Sequence, residues 1–281
     1  MKTGRPGGSH LFPGLAYRIG PVLAGCALAA IGSCAVAAST WNFSTCNATA
    51  ANQTINAGTY GNGWNCAGSS GANKVTASGW GGSNDTGSTG FQTAYLSPQG
   101  GSGLGLASRY ETIGVASPNH ATDNSPQNGT PDLIVLKFDT AVALGTVNLG
   151  WTNNDADLTV MAYNGGGTPT ILAKDATNLN TGWALIENSG DNDSTSSSSN
   201  VYGAGSSLTT RTVNAGNVVS SWWLISAYSS SYGGGPLDSS LDYFKLLAVA
   251  SKDLSKVPEP GSLALLGAGL VGLLNSRRRT A

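Results

Sequence analysis

The feature that most constrains the fold is a series of short apolar stretches that begins at residue 132 and is interrupted by glycine-rich turns. Asp132 to Phe138 is a nearly continuous apolar run. The stretches that follow occupy residues 141–149, 158–163, 182–187, 208–213, 218–228 and 243–250. The first two of these alternate with period two, which is typical of half-buried strands, and the body has no sustained helical pattern. Many strands without crossover helices predict an all-β fold, an antiparallel β-sandwich or jelly roll.

The first part of the body is harder to interpret. Residues 39–130 are rich in Gly, Asn, Ser and Thr and give only short strand candidates, at 74–77, 91–96 and 110–115. Residues 189–199 are polar and of low complexity, which indicates a solvated loop inside the domain. We predict one surface domain over residues 39–256, with a Gly/Asn/Ser-rich part at 39–130 and clearer strands at 131–256.

The charge of this body restricts its partners. Only 10% of the residues of the whole chain are charged, against about a quarter in an average protein. Residues 39–256 contain eight basic and fourteen acidic side chains, a net charge of −6. An acidic surface repels phosphate backbones, so nucleic acid is excluded as a partner.

The first 38 residues predict a signal peptide that is exported by the Sec machinery. Basic residues precede a charge-free segment from Ile19 to Ala38. Within it, Ala35 and Ala37 form the small-x-small pattern at which such peptides are cleaved. Two alternatives remain open, an uncleaved membrane helix and a lipoprotein signal that ends at Cys26 or Cys34.

The C-terminal 25 residues combine three features in an unusual order. An extended, proline-fixed segment is followed by a charge-free apolar run over residues 262–274 and then by a cluster of arginines. The run is shorter than the roughly 20 residues of an independent span, so it predicts a short hydrophobic helix. The arginines would remain on the cytoplasmic side. The two flanking elements are Val257, Pro258, Glu259 and Pro260, and Arg277, Arg278 and Arg279.

This order resembles the PEP-CTERM sorting signal of Gram-negative bacteria, over residues 257–279 of a C-terminal segment that we place at 257–281. The resemblance implies that the tail holds the precursor transiently in the inner membrane and that an exosortase cuts near Pro258, Glu259 and Pro260. It implies further that the mature protein reaches the cell surface or the extracellular matrix. It carries no information about the role of the body.

The body itself resembles a family of exosortase-dependent surface proteins of unknown biochemical role. The matching segments are Trp151 to Tyr163 with Asn-Asp-Ala-Asp-Leu-Thr-Val, residues 214–228, and residues 242–249. The family brings no catalytic residues that could be transferred to this chain.

Two cysteines remain in the body after signal cleavage. Cys46 and Cys66 form an even pair in an oxidising compartment, which predicts a structural disulfide. Closing a loop of about 20 residues contributes roughly 3 kcal/mol on the chain-entropy estimate. A metal site is disfavoured because no second pair of ligands accompanies them.

Two acidic pairs are weak candidates for binding Ca²⁺, and no other cofactor is expected. Asp155 and Asp157 lie two apart at a strand entrance, where carboxylates and nearby carbonyls could supply oxygen ligands. We favour the alternative that both cap backbone N–H groups of a turn. Asp191 and Asp193 lie in the polar loop, where ordering costs more entropy.

The catalytic residue types are sparse, so we expect that the protein is not an enzyme. His120 is the single histidine of the body, and no Gly-x-Ser-x-Gly elbow accompanies it. Glu111 and Glu187 are its only glutamates, and a glycoside hydrolase would need two carboxylates that converge.

All seven tryptophans lie in the body, where they either build the core or stack on sugars. Trp64 and Trp80 lie in glycine-rich stretches, and we expect them to be exposed as candidates for sugar stacking. Trp222 and Trp223 are neighbours in a predicted strand and must point to opposite faces.

These observations predict an exported, non-catalytic surface or matrix protein with a structural or adhesive role in a biofilm or floc. The expected partners are the Sec machinery and exosortase during export, and then extracellular polysaccharide. The alternative is a carbohydrate-binding module for that polysaccharide, and a glycoside hydrolase is the third hypothesis.

Overall fold

The computed structural model describes residues 38–46, 60–71, 73–82, 90–111, 120–124, 130–154, 156–174, 179, 181–189, 209–232 and 241–254. The predicted signal peptide with Ala35 and Ala37, and the tail from Val257 to Arg279 with its short hydrophobic helix, lie outside these residues. Within the described ranges, no helix has the length and apolar character needed to cross a membrane.

Fourteen β-strands and two short 3-10 turns, and no α-helix, make up the secondary structure of the described residues. The strands are β1 Thr40–Asn42, β2 Gly63–Ala67, β3 Lys74–Gly81, β4 Gln92–Thr93, β5 Tyr95–Pro98, β6 Leu104–Ala107, β7 Thr122–Asp123, β8 Leu133–Val142, β9 Leu144–Asn154, β10 Leu158–Tyr163, β11 Trp183–Ser189, β12 Thr209–Thr212, β13 Ser220–Ala227 and β14 Asp242–Ser251. The 3-10 turns are Gly100–Ser102 and Ser230–Tyr232.

The strands form two antiparallel sheets that pack as a sandwich, which confirms the predicted fold class. Sheet A has the order β12-β9-β14-β6-β5, with β1 and β7 also paired to β14. Sheet B has the order β11-β10-β13-β8-β3-β2, with β4 paired to β3. The chain passes from one sheet to the other at Ala143, between β8 and β9.

The main core lies between the sheets and is built from alternate residues of each strand. Ile134, Leu136 and Phe138 of β8 share this buried cluster with Phe244 and Leu246 of β14.

Trp41 adds the largest buried side chain of β1 to this core. Its ring meets Phe138 edge-on with centroids 4.7 Å apart. The indole N–H donates to the carbonyl of Asn73 at 3.0 Å. A buried indole is therefore compatible with this core because its polar group has a partner.

Sheet B is also covered on its outer face by a second apolar cluster. Loop residues close over Leu133, Val135 and Met161, and the loop is anchored to Phe91. The N–H of Phe91 donates to the carbonyl of Lys174 at 2.6 Å, and the N–H of Ala173 donates to that of Phe91 at 2.8 Å. The members of this second core are Phe91, Leu133, Val135, Met161, Ile171, Leu179, Trp183, Leu224 and Tyr232.

The two neighbouring tryptophans of β13 divide between these cores, as expected. Trp223 is fully buried in the main core, whereas Trp222 is half-buried on the outer face beside the second core.

The predicted strand at 110–115 is wrong at its start, because Tyr110 and Glu111 belong to a turn. The Ser108 N–H donates to Glu111 Oε2 at 2.6 Å, and the Glu111 N–H donates to the Ser108 carbonyl at 3.1 Å. These bonds close the chain on itself and compete with strand pairing. Residues 112–115 lie outside the described residues, as does the polar loop from residue 190 onward.

Cys46 and Cys66 form the predicted disulfide, with Cα atoms 4.8 Å apart. Cys66 belongs to β2 of sheet B, and Cys46 follows β1 of sheet A. The bond therefore ties the edge of one sheet to the other.

We expect the double substitution Cys46→Ala and Cys66→Ala to lower the free energy of unfolding by about 3 kcal/mol, because the unfolded chain regains the freedom of a 20-residue loop. Urea unfolding of the exported form measures this change. Reducing agent should destabilise the natural protein equally and leave the double variant unaffected. A loss below about 1 kcal/mol would show that the bond adds little to the sandwich.

Candidate functional site

A line of side chains crosses sheet B on the face that points away from the main core. Asn65 of β2 lies opposite Thr76 of β3, and Thr76 lies opposite Lys137 of β8. Lys137 in turn lies opposite Trp222 of β13. In β2, β3 and β8 the neighbours of these residues belong to the main core, as does Trp223 next to Trp222, so the four side chains share the outer face.

Tyr163 of β10 continues this line. Ala162 lies opposite Trp223, so the antiparallel register brings the next residue, Tyr163, beside Trp222. We call Asn65, Thr76, Lys137, Trp222 and Tyr163 the cross-strand row. Strands lie about 4.8 Å apart, so the row extends over about 19 Å.

The first half of the row is polar. The Thr76 hydroxyl donates to Asn65 Oδ1 at 2.6 Å. Lys137 is exposed, and its Nζ lies 5.4 Å from the centre of the Trp222 ring. This cation–π contact orients both side chains along the sheet.

The aromatic half of the row is held by its surroundings. The Tyr163 ring lies 5.2 Å from that of Trp183, and its hydroxyl donates to the Gly166 carbonyl at 3.3 Å. Gly182 has a φ of +81°, and a Cβ there would lie 2.6 Å from the Tyr163 ring. The backbone thus approaches the ring as closely as only glycine permits. Tyr163 is therefore a fixed element of the surface.

A cavity of about 420 Å³ adjoins the Asn65 end of the row. It lies between β1 and β2, and the Cys46–Cys66 bond forms part of its wall. The lining residues are Asn42, Thr45, Cys46, Asn65, Cys66, Ala67 and Lys74. Its size falls within the usual range of ligand pockets, about 300 to 1,000 Å³.

A second concentration of polar groups lies at one end of the sandwich, where Glu111, Asp123 and Asp132 come together as a carboxyl cluster. The Asp132 N–H donates to the carbonyl of Asp123 at 2.7 Å. A Cβ at Gly81 would overlap Asp132 Oδ1, so only glycine fits beside this carboxyl. Asp132 Oδ2 is buried and has no hydrogen-bond partner among the described residues.

Burial changes the acidity of this cluster. Burial, followed by repulsion from Asp123, raises the pKa of Glu111 to about 7. Burial also raises the pKa of Asp132 well above its usual range, with further repulsion from Asp123 and Glu111. Both carboxyls therefore retain protons under conditions where ordinary carboxyls have lost them. No group of three His, Cys, Asp or Glu side chains within the described residues is arranged to hold a metal ion.

The Asp155 and Asp157 pair is described only in part, because Asp155 lies outside the described residues. Asp157 is buried, and its N–H donates to Asp242 Oδ1 at 2.7 Å. Asn124 holds the same carboxylate through its side-chain amide. The acidic residues here thus organise the strand ends, and Ca²⁺ binding by the pair stays a prediction. Asp191 and Asp193 also lie outside the described residues.

The two tryptophans proposed for sugar stacking have different environments. The expected exposure of Trp64 is wrong, because only 5% of the residue is exposed. Trp64 lies opposite Ala77 and points with it into the main core, so its ring cannot stack on a sugar. Trp80 is half-buried on the outer face, and its Nε1 donates to Ser78 Oγ at 3.2 Å. Its role in sugar stacking stays a prediction.

The candidate catalytic residues are distributed over the fold. Glu187 lies on the edge strand β11. Glu111 interacts with Asp132, whose carboxyl lies beside Gly81 at the end of β3, so Glu111 lies near β3. Four strand spacings, about 19 Å, separate β11 from β3. This is more than the roughly 5 to 9.5 Å between the carboxylates of glycosidases.

His120 has a left-handed backbone with φ of 51°, and its carbonyl accepts from the Leu106 N–H at 2.9 Å. Burial first, and the charge of Lys245 second, lower the pKa of this histidine. Lys245 itself is 5% exposed, and its Nζ lies 4.4 Å from the centre of the Trp151 ring. Burial lowers the pKa of Lys245 as well.

Sequence analysis did not identify the cross-strand row. The neighbouring pair Trp222 and Trp223 already required one outward-facing indole. Its alignment with Lys137 and Tyr163 depends on the pairing of strands that are distant in sequence, for which the chain carries no local signal.

We expect the free energy of unfolding to fall as the pH rises from about 4.5 to about 7, because the unfolded chain releases the Glu111 proton before the folded protein does. Below this window Glu111 is protonated in both states. The full effect is roughly 3 kcal/mol. Glu111→Gln should be more stable than the natural protein near pH 8, and the two should converge near pH 4.5.

Urea unfolding at several pH values measures this difference, with Glu187→Gln on the edge strand as the matched control. Parallel pH profiles for Glu111→Gln and the natural protein would contradict the assignment.

Comparison with known proteins identifies the end of the chain. Residues 256–279 match a family model described as the PEP-CTERM protein-sorting motif. No curated protein matches the chain. The match confirms the resemblance found at Val257–Arg279 and covers none of the sandwich. The chain therefore carries a PEP-CTERM sorting motif, which implies export, a membrane-anchored precursor and processing by an exosortase for delivery to the cell surface.

Proposed function

We propose that the exported body is a non-catalytic adhesive component of the cell surface or extracellular matrix, and that it holds extracellular polysaccharide through the cross-strand row. The observation that carries this proposal is the alignment of an amide, a hydroxyl, an ammonium group and two aromatic rings on one face of sheet B. The sorting motif supports it, because it delivers the body to the surface where such polymers lie.

The chemistry of the row suits an extended sugar chain. Aromatic rings such as Trp222 and Tyr163 offer flat apolar faces to the C–H groups of a sugar ring. The polar half, with Asn65, Thr76 and Lys137, supplies hydrogen-bonding groups that fix orientation. Because the groups repeat at the strand spacing, successive sugars of one chain lying across the strands would meet successive members of the row.

The non-catalytic part of the proposal is supported by the carboxyl groups. Glu111 and Glu187 lie on separate parts of the fold, and the carboxyl cluster around Glu111 is largely buried. A hydrolase would instead degrade the matrix polymer and would lose that activity in Glu111→Gln or Glu187→Gln.

We expect Trp222→Ala to lower retention of the exported form on matrix polysaccharide about tenfold, because one stacked ring contributes about 1.4 kcal/mol. Co-sedimentation with the polysaccharide extracted from the producing cells measures retention. Leu172→Ala is the matched control, since this side chain is 53% exposed and lies outside the row.

The unfolding midpoint of each variant shows whether the fold is intact. Equal retention of Trp222→Ala and the natural protein, with both folded, would remove the row from the proposed function.

We expect the extracellular form to lack Arg277, Arg278 and Arg279, because the protease cuts at the proline segment. Intact mass measures the C-terminus. Pro258→Ala combined with Glu259→Ala should retain the precursor in the membrane fraction, whereas Ser255→Ala, just outside the matched residues, should leave processing unchanged. An extracellular product that still carries the arginines would contradict processing at this segment.

A further inference from the structure

We infer that the cross-strand row selects a carboxylate-bearing glycan, whose acidic groups bind the ammonium of Lys137. This inference rests on the proposed function and specifies its ligand class. It follows from the charges that the register places on and beside the row.

Lys137 is the cation of the row. Its side chain is exposed, and its Nζ lies 5.4 Å from the centre of the Trp222 ring. Among the described residues no carboxylate forms an ion pair with it. An ammonium has three donors, and a ring face satisfies them only weakly, so the group can accept an anionic ligand.

The neighbouring charges do not neutralise Lys137. Val75 lies opposite Phe138, so the antiparallel register brings Lys74 beside Asp139, and both side chains are exposed on the outer face. The opposite charges of Lys74 and Asp139 offset each other, and each residue lies two positions along its strand from a member of the row. The row is therefore left with the single positive charge of Lys137.

The position of this charge fits an acidic sugar. A sugar ring stacked on the Trp222 indole would lie within one strand spacing, about 4.8 Å, of Lys137 Nζ. A carboxylate on that sugar, or on the next sugar of the chain, could reach the ammonium group over this distance. The cavity at the Asn65 end extends the site along the row.

The overall charge of the body makes this a selective contact. Residues 39–256 have a net charge of −6, which opposes the approach of an acidic polymer. Recognition of the acidic groups must then depend on the local cation Lys137, because the rest of the body repels them. A neutral polymer would show no such dependence on Lys137.

The test compares matrix polysaccharide from the producing cells before and after chemical reduction of its carboxyl groups to alcohols. We expect the exported form to bind the untreated polymer about fivefold more tightly, the ratio supplied by one exposed ion pair. Lys137→Gln should abolish this preference, and Lys137→Arg should keep it. Asp139→Asn, an exposed neighbour on the same strand, is the matched control and should not weaken binding.

The outcomes separate this inference from the proposed function. Equal binding of the two polymers, with Trp222→Ala still weakening both, would overturn acidic selection and leave polysaccharide binding intact. A preference for the untreated polymer that survives in Lys137→Gln would also overturn acidic selection by Lys137, since another group would then bind the carboxylates. Failure to bind either polymer would overturn the proposed function itself.

Discussion

The pairing register of β8 with β3 and β13 is the constraint on which the rest of the structure depends. The inner face of β8 carries Ile134, Leu136 and Phe138, and its outer face changes from apolar to charged at Lys137. A shift of one residue would bring Lys137 into the main core and expose Phe138. The cost of burying an unpaired ammonium therefore fixes the register and, with it, the alignment of the cross-strand row.

Sheet B is divided into a covered half and a half with exposed and half-buried side chains. Covering loops bury Leu133, Val135 and Met161 in the second core, which stiffens the sheet beside the row. Tyr163 and Trp222 stand at the boundary, packed against that core on one side. A surface built in this way has its aromatic groups held in place before any ligand arrives, so little entropy is lost on binding.

The elements that could be predicted from the sequence are those with local signals. Apolar runs, with period-two alternation at residues 141–149 and 158–163, predicted the strands from residue 132 onward, and the adjacent tryptophans of β13 required opposite faces. The predicted gap at residues 139–140 is part of β8, which continues to Val142, and the chain changes sheet at Ala143.

Trp64, the carboxyl cluster and the row could not be predicted, since each depends on pairing between segments far apart in sequence. Glycine-rich surroundings indicated exposure for Trp64, but its inward position follows from pairing with Ala77.

The bond between Cys46 and Cys66 has a consequence for biogenesis, because such bonds persist in oxidising compartments and are rare in the reducing cytosol. In the cytosol the nascent chain therefore lacks this crosslink, and the bond that joins the two sheets forms only after export.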